Sequence, residues 1–557
     1  MTTFRSSKEV NLRISEEEQE YFLTPLSSDI KGNSFLNDNV REENDDSLMT
    51  DIDIEKDQDE DLDNIISSIG MGIFQKRLLV LVGFGWFSDA LWLVCVAIIL
   101  PRVQVHFQVS NSVIGLLPSS QFFGMMFGAV FWGIISDTYG RKQAFSWTLG
   151  FTVLFGFIAS LSQSFVQLCF LFFMLGFGVG GNLPVDGAIF LEFVPKENQY
   201  LLTLSSVFFE CGAAFTSLVG YLILPTHSCF EEIAACDVSK ENNGWRYVIL
   251  ILGTCTLIML VIRILFFRLL ESPKFLLSHN RKQEAIFVFQ EIARINGIEI
   301  EIQLDHLDDS NHSSQISSEH SLITSDSNKI GNIISTHFKQ KFTSKFIDLK
   351  YLFDKQWIST TIIVWSMWGV ISFGSVMFNL YLPKYLETLG KEENKLEDKH
   401  INGSEAIREG LKDFIIYTIW GVPGAIIASY LVESFLGRKG TMILGATGVS
   451  LSIFLFTNIH NHHYSIILFS MIIGCLKSIN WAVIYCYTPE VFETKIRGTA
   501  CGISSVFARI TGMVSPIITG ALISLGVPAP LYVTSFVYCI LAILTFMLPI
   551  ETRGRQA

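Results

Sequence analysis

Long apolar stretches separated by short polar loops occupy the chain from about residue 78 to residue 549. Each of the long stretches suffices for a helix that crosses a hydrocarbon core of about 30 Å. The pattern therefore predicts an all-α membrane protein with twelve transmembrane helices. Their approximate ranges are 78–100, 113–135, 144–162, 166–190, 200–223, 247–268, 357–381, 413–433, 441–458, 464–487, 499–523 and 530–549.

Polar segments divide this pattern into two groups of six helices. We expect residues 1–68 to form a disordered acidic cytosolic tail, because such a segment has too little apolar surface to bury. Residues 69–268 and 357–550 are predicted to be an N-terminal and a C-terminal six-helix bundle, joined by a cytosolic linker over residues 269–356. Residues 551–557 are expected to form a cytosolic tail.

The linker itself has two predicted parts. Ala285, Phe289 and Ile292 have helical spacing, which predicts an amphipathic helix over residues 281–294. The composition of residues 303–345 is rich in Ser, His, Asn and Asp and indicates a disordered spacer.

Composition agrees with lipid as the solvent. Hydrophobic residues make up 50% of the 557 residues and charged residues only 17%, whereas soluble domains carry about 25% charged residues. The net charge of −13 comes largely from the acidic tail and says little about the partners of the helical region. We expect membrane lipid as its environment, a monomer, and no nucleic-acid partner.

Basic residues in the short loops predict the orientation. Arg141-Lys142, Lys196, Arg438-Lys439 and Arg497 all follow even-numbered helices, while loops 459–463 and 524–529 have almost no Lys or Arg. The exception is the predicted loop over 384–412, which has several Lys balanced by Glu and Asp. Cytoplasmic loops are enriched in Lys and Arg, so both termini are expected in the cytosol. The protein would then be a multi-pass protein of the plasma membrane or of a vacuolar or endosomal membrane.

Two features would then lie on the opposite side. Asn402 begins an Asn-Gly-Ser triplet and is a candidate glycosylation site. Cys229 and Cys236 share a polar loop, where a disulfide is an open alternative to two free thiols.

The two groups of helices repeat one another in their loops. Asp137 and Glu433 are 296 residues apart, and Glu192 and Glu490 are 298 residues apart. Charged pairs at matched places indicate a duplicated bundle. We expect the repeated loops to act as a conformational latch, with Asp137 and Glu433 pairing or capping a helix across the interface of the halves. The latch residues are Gly133, Asp137, Gly140, Arg141, Lys142, Glu433, Gly437, Arg438, Lys439, Glu490 and Arg497.

These motifs resemble those of the major facilitator superfamily. The segment 133–142 is similar to its signature loop, and Glu271-Ser-Pro-Lys274 and 549–554 resemble marks of its sugar porters. Segments 487–499 and 176–184 resemble the synaptic-vesicle-protein-related metabolite–proton symporters. The resemblance implies the major facilitator fold of two six-helix pseudo-repeats. Phe172 and Asn182 depart from the sugar-porter and phosphate-symporter patterns.

Ionisable residues within the spans are the candidate substrate and proton-coupling residues, because a charge in the bilayer is costly unless it faces water or a partner. In the first half they are Asp89, Asp186 and Glu210, with Asn182 on the same helix face as Asp186. Burial favours the protonated carboxylic acid, which suits a reversible proton carrier. Asp186 could equally form an ion pair with Arg509.

The second half supplies the cations Lys477 and Arg509, with Asn480 three residues after Lys477. We expect these cations to face the acids across a cavity. Arg263 is expected to extend to the cytosolic interface instead. Candidate stacking and hydrogen-bonding residues are Gln121, Asn379, Trp86, Trp92, Trp365, Trp368, Phe378 and Trp481.

No nucleophile constellation, metal-ligand spacing or phosphate-binding loop is found in the sequence, so an enzyme, a metal site and a cofactor are not expected. The preferred hypothesis is a transporter of a small polar solute by alternating access, as a proton-coupled symporter of an organic anion or related metabolite. The alternatives are a non-transporting receptor or vesicle-trafficking protein of the same fold, and an exporter of drugs or organic ions.

Overall fold

The computed structural model describes residues 62, 64–198, 201–229, 236–265, 270–279, 281–298, 351–396, 403–458, 463–492, 494–526 and 528–553. Most of the predicted acidic tail, the predicted spacer at 303–345 and the candidate glycosylation site Asn402 lie outside these residues.

Twelve helices in the described residues are long and apolar enough to cross a membrane, which confirms the all-α prediction. We number them α1 to α12 in chain order. They are Ile73–Phe107, Asn111–Tyr139, Arg141–Ser160, Phe165–Phe193, Ser206–Thr226, Gly244–Leu265, Ile358–Leu389, Ser404–Glu433, Gly437–Asn458, Tyr464–Val491, Ile496–Leu525 and Ala529–Phe546.

Several helices extend beyond their apolar cores. The helix that contains α7 continues to Leu396, and the helix that contains α8 begins at Gly403, so the predicted loop over 384–412 is largely helical where it is described. Lys and Glu are good helix formers, and hydropathy cannot separate a polar helix end from a loop. Two spans are interrupted: α2 at Gly115 and α8 at Trp420.

The end of the predicted tail is also helical. Residues 64–69 form a helix, and Leu62, Ile66 and Ile69 are buried. These side chains share a core with Phe74 and Phe289. The prediction of disorder up to residue 68 is therefore wrong for this part, because its apolar residues recur at helical spacing and find a surface to cover.

The linker begins with two short helices, Pro273–Ser278 and Lys282–Asn296. The second coincides closely with the helix predicted over 281–294, and it buries Ala285, Phe289 and Ile292. Its last residue, Asn296, accepts a hydrogen bond from the backbone N–H of Phe74 (3.0 Å). The amphipathic face thus packs on the start of α1 and not on lipid alone.

Among the described spans, the halves pack against one another mainly through α1 with α7, α2 with α11, and α5 with α8. The loops after α2 and α8 lie at one end of the bundle, which we call the Arg141 end. The loop between α5 and α6 lies at the other end, which we call the Cys229 end.

Candidate functional site

A cavity of about 200 Å³ lies between the halves. Helices α1, α2, α4 and α5 line it from one side, and α7, α8, α10 and α11 from the other. Such a volume exceeds the 150 Å³ apolar cavity that is known to hold one benzene molecule. The cavity therefore has room for a solute of about one ring with its substituents.

Glu210 and Lys477 face this cavity from opposite halves. Lys477 donates a hydrogen bond to the Oδ1 atom of Asn379 (2.7 Å) and contacts the hydroxyl of Tyr417. That hydroxyl donates to the same Asn379 oxygen at 2.6 Å. Glu210 interacts electrostatically with Lys477 and hydrogen-bonds Ser478. Glu210 of the other half thus interacts with the charge of Lys477, although the two side chains are not within ion-pair distance in the described structure.

Arg509 is the second cation that lines the cavity. Its guanidinium donates to the Oγ of Ser505 (2.5 Å) and to the carbonyl of Gly180 in the other half (3.4 Å). Its Nε has no hydrogen-bond partner among the described residues. Asp89 interacts with this guanidinium electrostatically, but no carboxylate of the described chain lies within ion-pair distance of it, so an anionic solute would be its first direct ion-pair partner.

Asp89 and Asn182 are fully buried between α1 and α4, and neither lines the cavity. Asn182 donates a hydrogen bond to the Oδ1 atom of Asp89 at 2.7 Å. The other carboxylate oxygen of Asp89 has no partner in the described structure. Asp89 interacts electrostatically with Asp186, Arg509 and Arg263.

Asp186 forms its ion pair within the first half. Its Oδ2 atom lies 3.2 Å from a guanidinium nitrogen of Arg263 in α6, and both side chains are buried. Arg263 also donates to the carbonyls of Phe145 and Leu81, and its guanidinium carbon lies 3.4 Å from the centroid of the Phe145 ring. The prediction that Arg263 extends to the interface is therefore wrong. The alternative pairing of Asp186 with Arg509 is replaced by this one.

Asn480 lies apart from the cavity although it follows Lys477 by three residues. It is buried, donates to the carbonyl of Leu476 (3.0 Å), and lies against Gly445 of α9. A β-carbon at Gly445 would lie 2.8 Å from the Asn480 amide nitrogen. Its position indicates packing between α9 and α10.

An aromatic wall covers part of the cavity. Tyr485 lies at its centre, with ring centroids 5.9 Å from Trp86, 4.8 Å from Trp368 and 5.9 Å from Trp481. Gln121 and Asn379 also line the cavity, whereas Trp92, Trp365 and Phe378 are absent from its described lining. Sequence reasoning missed Tyr485 and Tyr417, since a Tyr in an apolar helix carries no signal that distinguishes a cavity from the core.

The loop after α2 holds a network of charges at the Arg141 end. Arg141 pairs with Asp137 and with Glu192 (3.0 Å). The carboxylate of Glu271 accepts hydrogen bonds from the backbone N–H groups of Arg141 (2.7 Å) and Lys142 (3.3 Å). An acid at this place satisfies the free N–H groups at the start of α3.

The second half repeats this network. Arg438 pairs with Glu433 and Glu490, each at 2.9 Å. Glu551 accepts from the backbone N–H groups of Arg438 and Lys439, each at 3.0 Å. Asp137 and Glu433, expected to make contacts across the interface, thus each have a partner in their own half. Of the remaining predicted latch residues, Gly133 is surrounded by open space and Arg497 is half-buried at the start of α11.

Glycines make the close approach of the Glu271 and Glu551 carboxylates possible. Gly140 has φ +110°, and a β-carbon there would lie 2.4 Å from a carboxylate oxygen of Glu271. Gly437 has φ +65° and its β-carbon would lie 2.9 Å from Glu551. Both positions therefore require glycine for conformation and for space.

The loop between α5 and α6 contains a disulfide between Cys229 and Cys236. Of the two alternatives, the structure therefore has the bonded one.

The family model of the Major Facilitator Superfamily matches residues 78–397 and 414–557. The chain belongs to the major facilitator superfamily. Among its relatives, the MFS siderochrome iron transporter 1 of Ceriporiopsis subvermispora is 33% identical over 500 residues, which cover 88% of this chain and 90% of the relative. The synaptic vesicle 2-related protein of Rattus norvegicus is 27% identical over 509 residues, covering 89% of this chain and 81% of the relative.

Solved structures show the same fold. The inward open conformation of the xylose transporter XylE from E. coli superposes with a TM-score of 0.61 at 14% identity, covering 86% of this chain and 98% of XylE. This major facilitator chain is therefore a multi-pass transport protein and not an enzyme.

Proposed function

We propose that this protein is a proton-coupled symporter of a small organic anion or related metabolite. The observation that supports the proposal most directly is the guanidinium of Arg509, which lines the central cavity with an unpartnered Nε and no carboxylate at ion-pair distance among the described residues. Glu210 and Lys477 balance one another there. An anionic solute would therefore supply the ion-pair partner that no carboxylate of the described structure gives to Arg509.

The aromatic wall and the cavity volume favour a small solute with a planar group, of about one ring with its substituents. Trp86, Trp368, Trp481 and Tyr485 offer ring faces and edges on which a planar group stacks. Glu210 and Lys477 supply further polar contacts in the same cavity.

Asp89 is the proposed proton carrier. Its carboxylate is fully buried with one oxygen lacking a partner in the described structure, and it shares an electrostatic interaction with Arg509. The neighbouring Asp186 is less suited to the role because it forms an ion pair with Arg263.

We also propose the orientation and the cellular setting. The basic residues Arg141, Lys142, Arg438 and Lys439 at the Arg141 end favour the cytosol for that end, and in the proposed orientation both termini are cytosolic. A disulfide at the other end agrees with an oxidising compartment. The proposed protein is a monomer in the plasma membrane or in a vacuolar or endosomal membrane.

Ligand identification tests the anion site. Purified protein is screened by thermal unfolding against small carboxylates, inorganic phosphate, sugars and organic cations. Carboxylates with one ring are expected to raise the unfolding temperature of the wild type and of the exposed control Arg408→Ala, but not of Arg509→Ala. Equal stabilisation of Arg509→Ala, or stabilisation by cations alone, would overturn the anion proposal.

Flux in proteoliposomes tests the coupling. With a stabilising anion, an inward proton gradient is expected to drive accumulation by the wild type, whereas Asp89→Asn exchanges the anion without accumulating it. Accumulation by Asp89→Asn at the wild-type level would exclude Asp89 as the carrier. Uptake that ignores the gradient in the wild type would exclude symport.

A further inference from the structure

Arg102 and Glu387 form a buried ion pair between the halves at the Cys229 end. One guanidinium nitrogen of Arg102, near the end of α1, contacts both carboxylate oxygens of Glu387 in α7, at 2.6 and 2.8 Å. The side chains are only 6% and 14% exposed. Hydrogen bonds between charged groups are stronger than neutral ones, so this pair is a strong local bond between the halves.

Other contacts close the same end. Lys384, about one turn before Glu387, donates to Gln104 and Asn111 of the first half, each at 3.1 Å. The backbones of α2 and α11 also meet here, since a β-carbon at Gly115 would lie 2.4 Å from the carbonyl oxygen of Pro516. The central cavity is therefore separated from the Cys229 end in this conformation.

The disulfide-bonded loop holds Arg102 in place. The second terminal nitrogen of Arg102 donates to the backbone carbonyl of Cys229 at 3.2 Å. Asn242, two residues before the start of α6, donates to the carbonyl of Arg102 (3.0 Å) and accepts from the N–H of Cys229 (3.3 Å). Both Cys229 and Asn242 are buried. One terminal nitrogen of the guanidinium is thus fixed by the loop, and the other is directed at Glu387.

We propose that Arg102 and Glu387 form the gate of the Cys229 end, and that the Cys229–Cys236 disulfide and Asn242 are positioning residues of that gate. Opening requires that Arg102 leave Glu387. Because the loop belongs to the same half as Arg102, it moves with Arg102 and keeps the guanidinium oriented for closure. Without the disulfide, the Cys229 carbonyl is less restrained and the guanidinium gains alternative orientations, which weakens the closed state.

The gate can be measured without any solute, so its test is independent of the proposed anion and proton coupling. Leu380 lies on α7 about one turn before Lys384 and lines the central cavity. Leu380→Cys is introduced into the full-length protein, and a membrane-impermeant maleimide is applied from the membrane face that carries Cys229. Labelling at position 380 is quantified by peptide mass spectrometry. Gln163→Cys, in the exposed loop between α3 and α4, serves as the control for reagent access.

Glu387→Gln is expected to raise the rate of labelling at position 380 by about tenfold or more, in line with the loss of a charged hydrogen bond. The Cys229→Ser/Cys236→Ser variant and Asn242→Ala are expected to raise it several-fold. Added to Glu387→Gln, neither should raise it further, because all three act on one contact. Unchanged labelling in both loop variants, or effects that multiply with that of Glu387→Gln, would overturn the positioning role.

Correct folding is checked by an exchange of charges. Arg102→Glu combined with Glu387→Arg is expected to restore slower labelling than either single variant shows. Failure of the exchange to slow labelling, while the loop variants still label rapidly, would also contradict a gate formed by this pair. Labelling of Gln163→Cys should be equal in all variants. A several-fold rise at that control would overturn the assignment by showing general loosening of the fold.

Discussion

The buried ion pair of Asp186 and Arg263 permits a quantitative test. Asp186→Asn removes the negative charge but keeps a hydrogen-bonding side chain, and it leaves Arg263 as an uncompensated buried cation. Breaking one side of a buried pair costs about 3–5 kcal/mol. Arg263 retains the carbonyls of Phe145 and Leu81 and the Phe145 ring. We therefore expect a destabilisation near the lower end of that range.

Removal of both charges should cost less than removal of one. Asp186→Asn with Arg263→Met leaves no buried charge, and apolar replacements of whole pairs are often neutral. The measurement is thermal unfolding of the purified protein in lipid nanodiscs, with each single variant beside the double variant. The reasoning is refuted if Asp186→Asn unfolds at the wild-type temperature, or if the double variant is less stable than both single variants.

Glycine substitutions with matched controls test the loop and the helix packing. Gly140→Ala is expected to lower stability by about 1–3 kcal/mol, because of its positive φ, whereas Gly133→Ala, with open space around it, should change little; thermal unfolding of both variants checks this. Gly176→Ala places a β-carbon 2.2 Å from the carbonyl oxygen of Gln121, so it should separate α2 from α4 and lower both stability and transport. Gly187→Ala meets nothing within 4 Å and should be neutral or stabilising by up to about 1 kcal/mol; a loss equal to that of Gly176→Ala would contradict the packing argument.

The fold could be predicted from the sequence because lipid imposes one simple rule. A span must be helical and apolar over about 20 residues, so hydropathy alone identifies all twelve spans. The ends were less predictable. Polar residues up to Leu396 continue a helix that hydropathy ends near 381, and Leu62, Ile66 and Ile69 are buried in a segment whose overall composition is acidic.

The sequence predicts which residue types form the site, but not which of these residues pair with one another. Ionisable residues within spans can be found by position, but their partners depend on the rotation of each helix. Arg263 lies close to the end of α6, where an extended side chain is the ordinary expectation, yet the rotation of α6 directs it to Asp186. Asn480 shares a helix with Lys477 but packs on α9 because of a rotation that its sequence spacing does not reveal.

The candidate acids lie in the first half of the chain and the candidate cations Lys477 and Arg509 in the second, and the structure arranges these charges in two groups. Glu210 and Lys477 balance one another across the cavity. In the first half, Arg263 forms an ion pair with Asp186, which leaves the charge of Asp89 without a cation of its own. In the second half, Arg509 has no acid at ion-pair distance in the described structure, but it interacts electrostatically with Asp89. Asp89 and Arg509 thus compensate one another across the interface, although no hydrogen bond joins them among the described contacts.

That arrangement gives the proposed symport a physical basis. An anion bound to Arg509 neutralises the guanidinium, so Arg509 no longer compensates the negative charge of Asp89. Binding of a proton to Asp89 is then the simplest way to neutralise the first half. Binding of the anion and of the proton would then be mutually favourable, as linkage requires. Because Arg509 and Asp89 belong to different halves, separation of the halves would weaken their electrostatic interaction together with the hydrogen bond from Arg509 to the Gly180 carbonyl. In the proposed cycle, the bound anion and the proton neutralise Arg509 and Asp89 each within its own half, so the loaded state leaves neither half with an uncompensated charge. In the empty state the two residues compensate one another only across the interface.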